Sequence, residues 1–212
     1  MIHRGASIDV MQPLPEGEGG ANPTAPLLFI KRDWWVYDVD MDIARRLVEL
    51  YHYAGAASNT ATFLHGLFPR DAFWEAACAG IAWWIPPTKT AAQHAHPENW
   101  QGVLSLSRLV IAPGVPPNAC TFLLRHSMRQ IDRQRWPVLV TYADEWQGHT
   151  GHMYKVSGWR ETGWTKPERC YVRDGKMVSR KAGPRTRTHK EMLKLGCVCV
   201  GSFRKKRFTH EV

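Results

Sequence analysis

The chain has 212 residues, 44% of them hydrophobic, and 28 Lys and Arg against 19 Asp and Glu give it a formal charge of +9. That length suffices for one domain with a real core. No apolar run approaches the ~20 residues that span a bilayer, and residues 1–20 lack the apolar segment of a secretory signal, so neither a membrane span nor a secretory signal is expected, and a cytoplasmic protein is.

The first 26 residues carry Gly17, Gly19, Gly20 and prolines at 13, 15, 23 and 26, which deny them regular structure; an irregular N-terminal arm is expected there. A strand is predicted over 27–30 (LLFI), with 34–37 (WWVY) continuing it or forming a second piece. Asp42 is placed to cap a helix with apolar positions 43, 47, 50 and 51, closed by Gly55. His52 and Tyr53 stand at its end. The run 79–85 (AGIAWWI) stops at Pro86-Pro87 and reads as a buried strand. Residues 88–101, with His94 and His96, read as an irregular loop.

Residues 103–111 (VLSLSRLVI) form the strongest strand pattern. Alternation puts Leu104, Leu106 and Arg108 on one face. A cation in such an apolar setting needs an acceptor, Asp144 or an anionic substrate. A proline-rich loop leads to Asn118, a helix cap, and a helix with Phe122, Leu123, Met128 and Ile131 inside and Arg125, Arg129, Arg133 and Arg135 outside. Strand, loop, helix and strand make a βαβ unit with a right-handed crossover. Its helix start, at Asn118 and Ala119, can accept phosphate through free backbone N–H groups.

The second strand of that unit, 138–142 (VLVTY), opens the stretch with the most chemistry, VLVTYADEWQGHTGHMYKVSGW (138–159). Asp144 ends the strand, a turn with two Gly and two His comes next, and Tyr154 lies ten residues on. In an open α/β sheet the carboxyl ends of strands face the ligand crevice. An Asp there is equally a common helix cap.

Further strands are predicted at 159–164 and 170–173, with Asp174-Gly175 turning the latter back on 177–179. Residues 180–194 read as a basic surface arm, 196–203 as a last strand, and 204–212, with Arg204, Lys205, Lys206 and Arg207, as a basic tail; one domain is therefore expected over 27–203. Residues 155–212 hold 16 Lys and Arg against 5 Asp and Glu, net +11, while the first 154 are net −2. Such asymmetry points to a partner with phosphates. The five cysteines lack zinc spacing and read as reduced thiols.

The order HYAG (52–55), SRLVI (107–111), Asn118-Ala119, YAD (142–144) and GHTGHMY (148–154) with a following Gly-Trp resembles the phage Mom proteins, over roughly residues 50 to 165. The resemblance implies an α/β fold of the GCN5-related N-acetyltransferase type, a mixed sheet flanked by helices. It implies a transferase that places a carbamoylmethyl group on adenine N6 of double-stranded DNA and so protects phage DNA from host restriction. The family's functional positions fall on His52, Tyr53, Arg108, Asp144 and Tyr154, with His52, Tyr53, Asp144 and Tyr154 as implied ligands of an iron ion. The glycine signature R/Q-x-x-G-x-G/A of ordinary acetyltransferases is replaced by the proline-rich loop, which leaves the acyl donor open, acyl-CoA included. Arg204, Lys205, Lys206 and Arg207 are the expected DNA contacts. The competing class is an acyl-CoA-dependent N-acyltransferase acting on a small amine or protein; a third is a DNA-binding protein without catalysis.

Overall fold

The computed structural model describes residues 28–56, 58–72, 77–181 and 185–211. The predicted arm over 1–26 and the start of the predicted 27–30 strand lie outside them. Within them, residues 28–30 form no strand, and the first is β1, Trp34–Asp38. After it come α1 (Met41–Tyr51), β2 (Phe63–Pro69), β3 (Gly80–Ile85), α2 (Lys89–Ala95), β4 (Val103–Ile111), α3 (Ala119–Gln130), β5 (Val138–Asp144), α4 (His152–Val156), β6 (Arg160–Trp164), β7 (Glu168–Arg173), β8 (Lys176–Met177), α5 (His189–Lys194), β9 (Val198–Phe203) and β10 (Lys205–Glu211).

Seven strands form one sheet in the order β1-β2-β3-β4-β5-β10-β6, and β8-β7-β9 form a second, small sheet. Within the large sheet every pairing is antiparallel except β4 with β5, because α3 carries the chain across the sheet between those two strands. Alternate residues of β3 show how both faces fill. Ile81 and Trp83 pack with Ala44, Leu47 and Val48 of α1, whereas Ala82 and Trp84 pack with Leu123, Leu124 and Met128 of α3. On the α3 side Ser127, fully buried, takes the Trp84 indole N–H at 2.7 Å and bonds His65 Nδ1 at 2.7 Å. With Asp38 3.4 Å from His65 Nε2 this outwardly matches a nucleophilic triad, but no substrate reaches a hydroxyl with no exposed surface; it satisfies two buried ring nitrogens instead.

Two irregularities place the chemistry. The β4–β5 pairing covers only Val103–Ser105 against Val138–Val140, after which the strands are unpaired and form a fork. In β4, Trp83 faces Arg108 and Trp84 faces Leu106, so Ser107 is an extra residue, a bulge that re-aims the side chains after it. Arg108 therefore shares the α1 face with Trp83, against the alternation expected with Leu104 and Leu106.

Several local expectations are corrected. The N-cap of α1 is Asp40, and Asp42 sits in the first turn beside Arg45. Residues 88–101 contain α2, capped by the Thr88 hydroxyl, rather than a plain loop. The helix α3 ends at Gln130, so Arg133 and Arg135 lie beyond it; Arg133 turns inward to the carbonyls of Pro137 and His210. The basic arm contains α5, fixed by a capping box between Thr188 and Glu191. The strand over 198–203 is not the last, and the expected tail is β10, a strand inserted between β5 and β6. Phe208, fully buried against the α3-side core, gives the physical reason: a tail bearing FTH after four cations can bury its aromatic ring only by joining the sheet.

Candidate active site

At the C-terminal end of α1 the chain turns sharply. His52 N–H still donates to Val48 O, then Gly55, in the left-handed region at φ 56, bonds back to His52 O. The turn is held from the sheet: Arg108 donates from Nε and Nη2 to the Ala56 carbonyl (3.1 and 2.9 Å) and from Nη1 to Ser107 O (2.7 Å). Arg108 thus finds carbonyls rather than Asp144, and its role here is to position the His52–Tyr53 turn.

The imidazole of His52 stacks on Tyr53 at 4.3 Å between centroids, and the edge of His149 meets Tyr53 at 5.6 Å. Burial, then the charges of Arg108, His149 and Lys205, lower the His52 pKa from 6.5 to about 4. The ring is neutral at physiological pH. The Ala54 backbone N–H donates to its Nδ1 at 3.1 Å, so the remaining proton sits on Nε2, and His52 offers a donor there. The Tyr53 phenol is pushed up to about 12 by burial and by Asp144, and is protonated.

Asp144, only 5% exposed, ends β5. One carboxylate oxygen accepts the Trp146 N–H at 3.1 Å, the cap of the 3-10 turn Glu145–Gln147; the other holds Lys205 Nζ at 2.7 Å. The cap reading of an Asp after a strand is therefore realised, with an ion pair to Lys205 beside it. Lys205 owes its position to β10, where it lies directly across from Asp144.

Tyr154 approaches from the other face. It packs on Trp159 and Phe208 in the α3-side core, and its hydroxyl bonds Thr141, which in turn donates to Leu106 O at 3.3 Å at the base of the fork. Burial raises the Tyr154 phenol to about 12, and the Thr141 bond offsets this only in part. Its electrostatic neighbours include Tyr53, so the open fork brings Tyr154 toward the turn of α1 although the sheet separates it from Asp144. Gly151, in the GHTGHMY stretch, makes this packing possible. It has φ 78, and a Cβ there would run into the Phe208 ring. Gly151→Ala is expected to lower stability by about 2 kcal/mol or more through backbone strain and overpacking, read from the midpoint of urea unfolding; an unchanged midpoint would show that Phe208 yields freely.

Tyr53, Arg108, Asp144 and Lys205 line one wall of a cleft of about 420 Å³. The opposite wall is the small sheet and the chain beside it, with Arg169, Tyr171, Arg180 and Lys181; Trp146 and Phe203, stacked at 5.9 Å, line the cleft too. His52 stands behind Tyr53. Asn118 and Ala119 are outside this cleft, at the start of α3. Asn118 has φ 73 and makes no side-chain cap, since capping uses an extended residue; asparagine tolerates the left-handed region better than most. With no acidic residue in its first turn, the α3 start fits a phosphate, though Pro113, Pro116 and Pro117 deprive the preceding loop of three N–H donors.

The side chains gathered here do not fit an iron ion. A metal on His52 Nε2 requires the proton on Nδ1 and an acceptor for it, yet Nδ1 faces the Ala54 N–H. The Lys205 ammonium group already balances the charge of Asp144, and a second cation beside it would be repelled. Tyr154 reaches the site from the far side of β5. Among the described residues no three His, Cys, Asp or Glu side chains cluster to hold a metal. Of the expected DNA contacts, Lys205 holds Asp144, Lys206 lies over Trp164 at 5.2 Å, and Arg207 donates to Thr162 O at 2.7 Å. Arg204 remains exposed. Sequence reasoning named Lys205 as a DNA contact but not as the partner of Asp144, and it missed Thr141, Trp146 and the Ala56 carbonyl; Trp146, two residues past Asp144, was the one with a local signal.

The depressed His52 pKa makes stability depend on pH. Between about pH 4 and 6.5 the unfolded chain binds more protons there than the folded one, so stability falls as pH falls through that window and is unaffected above it. His52→Gln is expected to reduce the slope of unfolding free energy against pH there. Burial lowers His65, His126 and His210 as well, so the slope shrinks rather than vanishes. An undiminished slope in urea titrations would assign the effect to those three.

Solved structures resemble the fold. They include IAA acetyltransferase from Bacillus cereus ATCC 14579 (TM-score 0.51, 8% identity, 84% of this chain and 99% of that one). Another is spermidine N-acetyltransferase from Vibrio cholerae, in complex with CoA and spermine (TM-score 0.50, 10% identity, 85% and 96%). The fold is thus of the GCN5-related N-acetyltransferase type, as expected. Comparison with curated proteins found no match. The Mom protein family matches over residues 33–209, a span from β1 to β10 that takes in the fork, the cleft and every site residue named above. The chain belongs to the Mom protein family.

Proposed function

We propose that the protein is a transferase that modifies adenine N6 in double-stranded DNA, by the carbamoylmethylation that the resemblance to the phage Mom proteins implies, and that it thereby shields phage DNA from restriction. The observation that carries this reading is the convergence of Tyr53, Arg108 and Asp144 on one cleft, with His52 stacked behind. These family positions come from three separate places in the chain: the end of α1, β4 and β5.

The chemistry asked of the cleft is demanding, because the N6 lone pair is delocalised into the purine ring. A carboxylate that takes an N6 proton as the new N6–carbon bond forms counters that loss of nucleophilicity. Asp144 is that base, with Lys205 and the Trp146 N–H holding its plane. His52 Nε2–H and the Tyr53 hydroxyl are donors for ring nitrogens or for a developing oxyanion. Tyr154, protonated and buried, returns a proton to the leaving group through the fork. The donor supplies an activated methylene carbon: the N6–carbon bond forms as the bond from that carbon to its leaving group breaks, and phosphates on the donor have the start of α3 at Asn118 and Ala119 to receive them. No step requires iron.

The test is mass analysis of nucleosides from plasmid DNA recovered from cells expressing the protein. A new adenosine of increased mass is expected. Unmodified DNA alongside acylation of a small amine or protein would favour the acyl-CoA-dependent N-acyltransferase.

A further inference from the structure

Residues 165–203 leave the large sheet after β6 and return at β10, and those two strands pair with each other. The excursion builds β7, β8, α5 and β9, a lobe with its own small core of Tyr171, Met192 and Cys197. It holds ten Lys and Arg against three Asp and Glu, so +7 of the chain's +9 sits on less than a fifth of its length. Three of these cations meet carboxylates: Lys181 with Glu168, Arg173 with Asp174 and Arg185 with Glu191. Lys166, Arg169, Lys176, Arg180, Arg187, Lys190 and Lys194 have no acidic partner among the described residues. This charge is not tied down as it is in β10, where Lys205 and Arg207 are already engaged.

Resting on the DNA-modifying reading above, we infer that this lobe grips the phosphates of duplex DNA, and that the cleft between it and the large sheet receives one nucleotide swung out of the stack. Three observations meet at that point. Arg169 and Arg180 line the lobe side of the cleft beside Lys181, which is paired with Glu168 on the same wall; phosphates flanking an extruded nucleotide pass that rim, and cations there fix its register. The Trp146–Phe203 pair lines the same cleft with flat aromatic surface, on which a base stacks without regard to its edge. The opposite wall presents Asp144, Lys205 and Tyr53, the polar groups that would read the exposed edge of the base. The volume, about 420 Å³, suits a single small ligand and not a duplex, and the N6 amine inside a stacked helix cannot reach Asp144 otherwise. The partner is therefore double-stranded DNA held by its backbone, read at one extrahelical purine.

The experiment uses the full chain and a duplex oligonucleotide, with binding followed by fluorescence anisotropy against salt. The variant R169Q/R180Q/K181Q is expected to lower the slope of log affinity against log salt by roughly 2 to 3, about 0.9 for each phosphate no longer neutralised. Because Arg180 also donates to Arg187 O, Arg169→Gln alone, at an exposed side chain with no acidic partner among the described residues, is the second variant, with an expected drop of about 0.9. Trp146→Ala is expected to keep the wild-type slope while reducing about tenfold the permanganate reactivity of the thymine orphaned opposite the extruded adenine. Wild-type protein that modifies adenine, with both lobe variants at the unaltered slope, overturns the lobe assignment and leaves the proposed function standing. Normal thymine reactivity in Trp146→Ala overturns the stacking slot. Wild-type protein that neither binds nor modifies DNA removes the reading on which both rest.

Discussion

Asp144→Asn is expected to lower the yield of modified adenine at least a hundredfold, within the range of about 10² to 10⁴ for loss of a positioned general base. The amide keeps the shape of the carboxylate and can still accept the Trp146 N–H that starts the 3-10 turn. What disappears is the charge facing Lys205 and the basic oxygen facing the cleft. Lys205 is 42% exposed at its side chain, so its ammonium group retains water, and the fold is expected to survive; a change of thermal midpoint by more than a few degrees would confound the result. Retention of DNA at the wild-type salt slope separates loss of chemistry from loss of binding. Normal yields of modified adenine would end the assignment of Asp144 as base.

Tyr154→Phe is the second large effect. The substitution leaves the ring that packs on Trp159 and Phe208 and removes only the hydroxyl bonded to Thr141. If the phenol donates its proton at the fork, the rate falls by roughly 10² or more. If it only satisfies Thr141, the rate stays within a few-fold and the stability changes by about 1 kcal/mol. Since the phenol titrates near 12 and His52 near 4, neither group contributes a pH step between those values. A rate profile that bends near neutrality must then come from another group, and a bend lost in Tyr154→Phe would contradict the assignment.

Much of the candidate site was visible as residue types at element ends: His52 and Tyr53 after a helical run, Asp144 after a buried strand, Gly151 and Tyr154 in one glycine-bearing stretch. Periodicity located β4, α3 and β5 because their apolar residues repeat at 2 and 3.6 positions. Periodicity could not register the single extra residue at Ser107, which sends Arg108 to the opposite face, or the pairing partner of a strand far along the chain. The four cations of 204–207 look like a tail when read locally, since nothing nearby in sequence says that Asp144, sixty residues earlier, lies across from Lys205.

The amino-acid order alone determined the family resemblance, the βαβ unit and the side chains that carry the chemistry, because those depend on local pattern and on short motifs. Only the folded chain decided which of them share a surface. It set Asp144 against an ammonium group, aimed the Ala54 N–H at His52 Nδ1 and put Tyr154 behind the sheet, and so did not assemble the four implied iron ligands. The reason is physical: hydrogen-bond donors, charges and strand partners act over a few ångströms in space, and pairings such as β5 with β10 bring within that range residues that the sequence holds far apart.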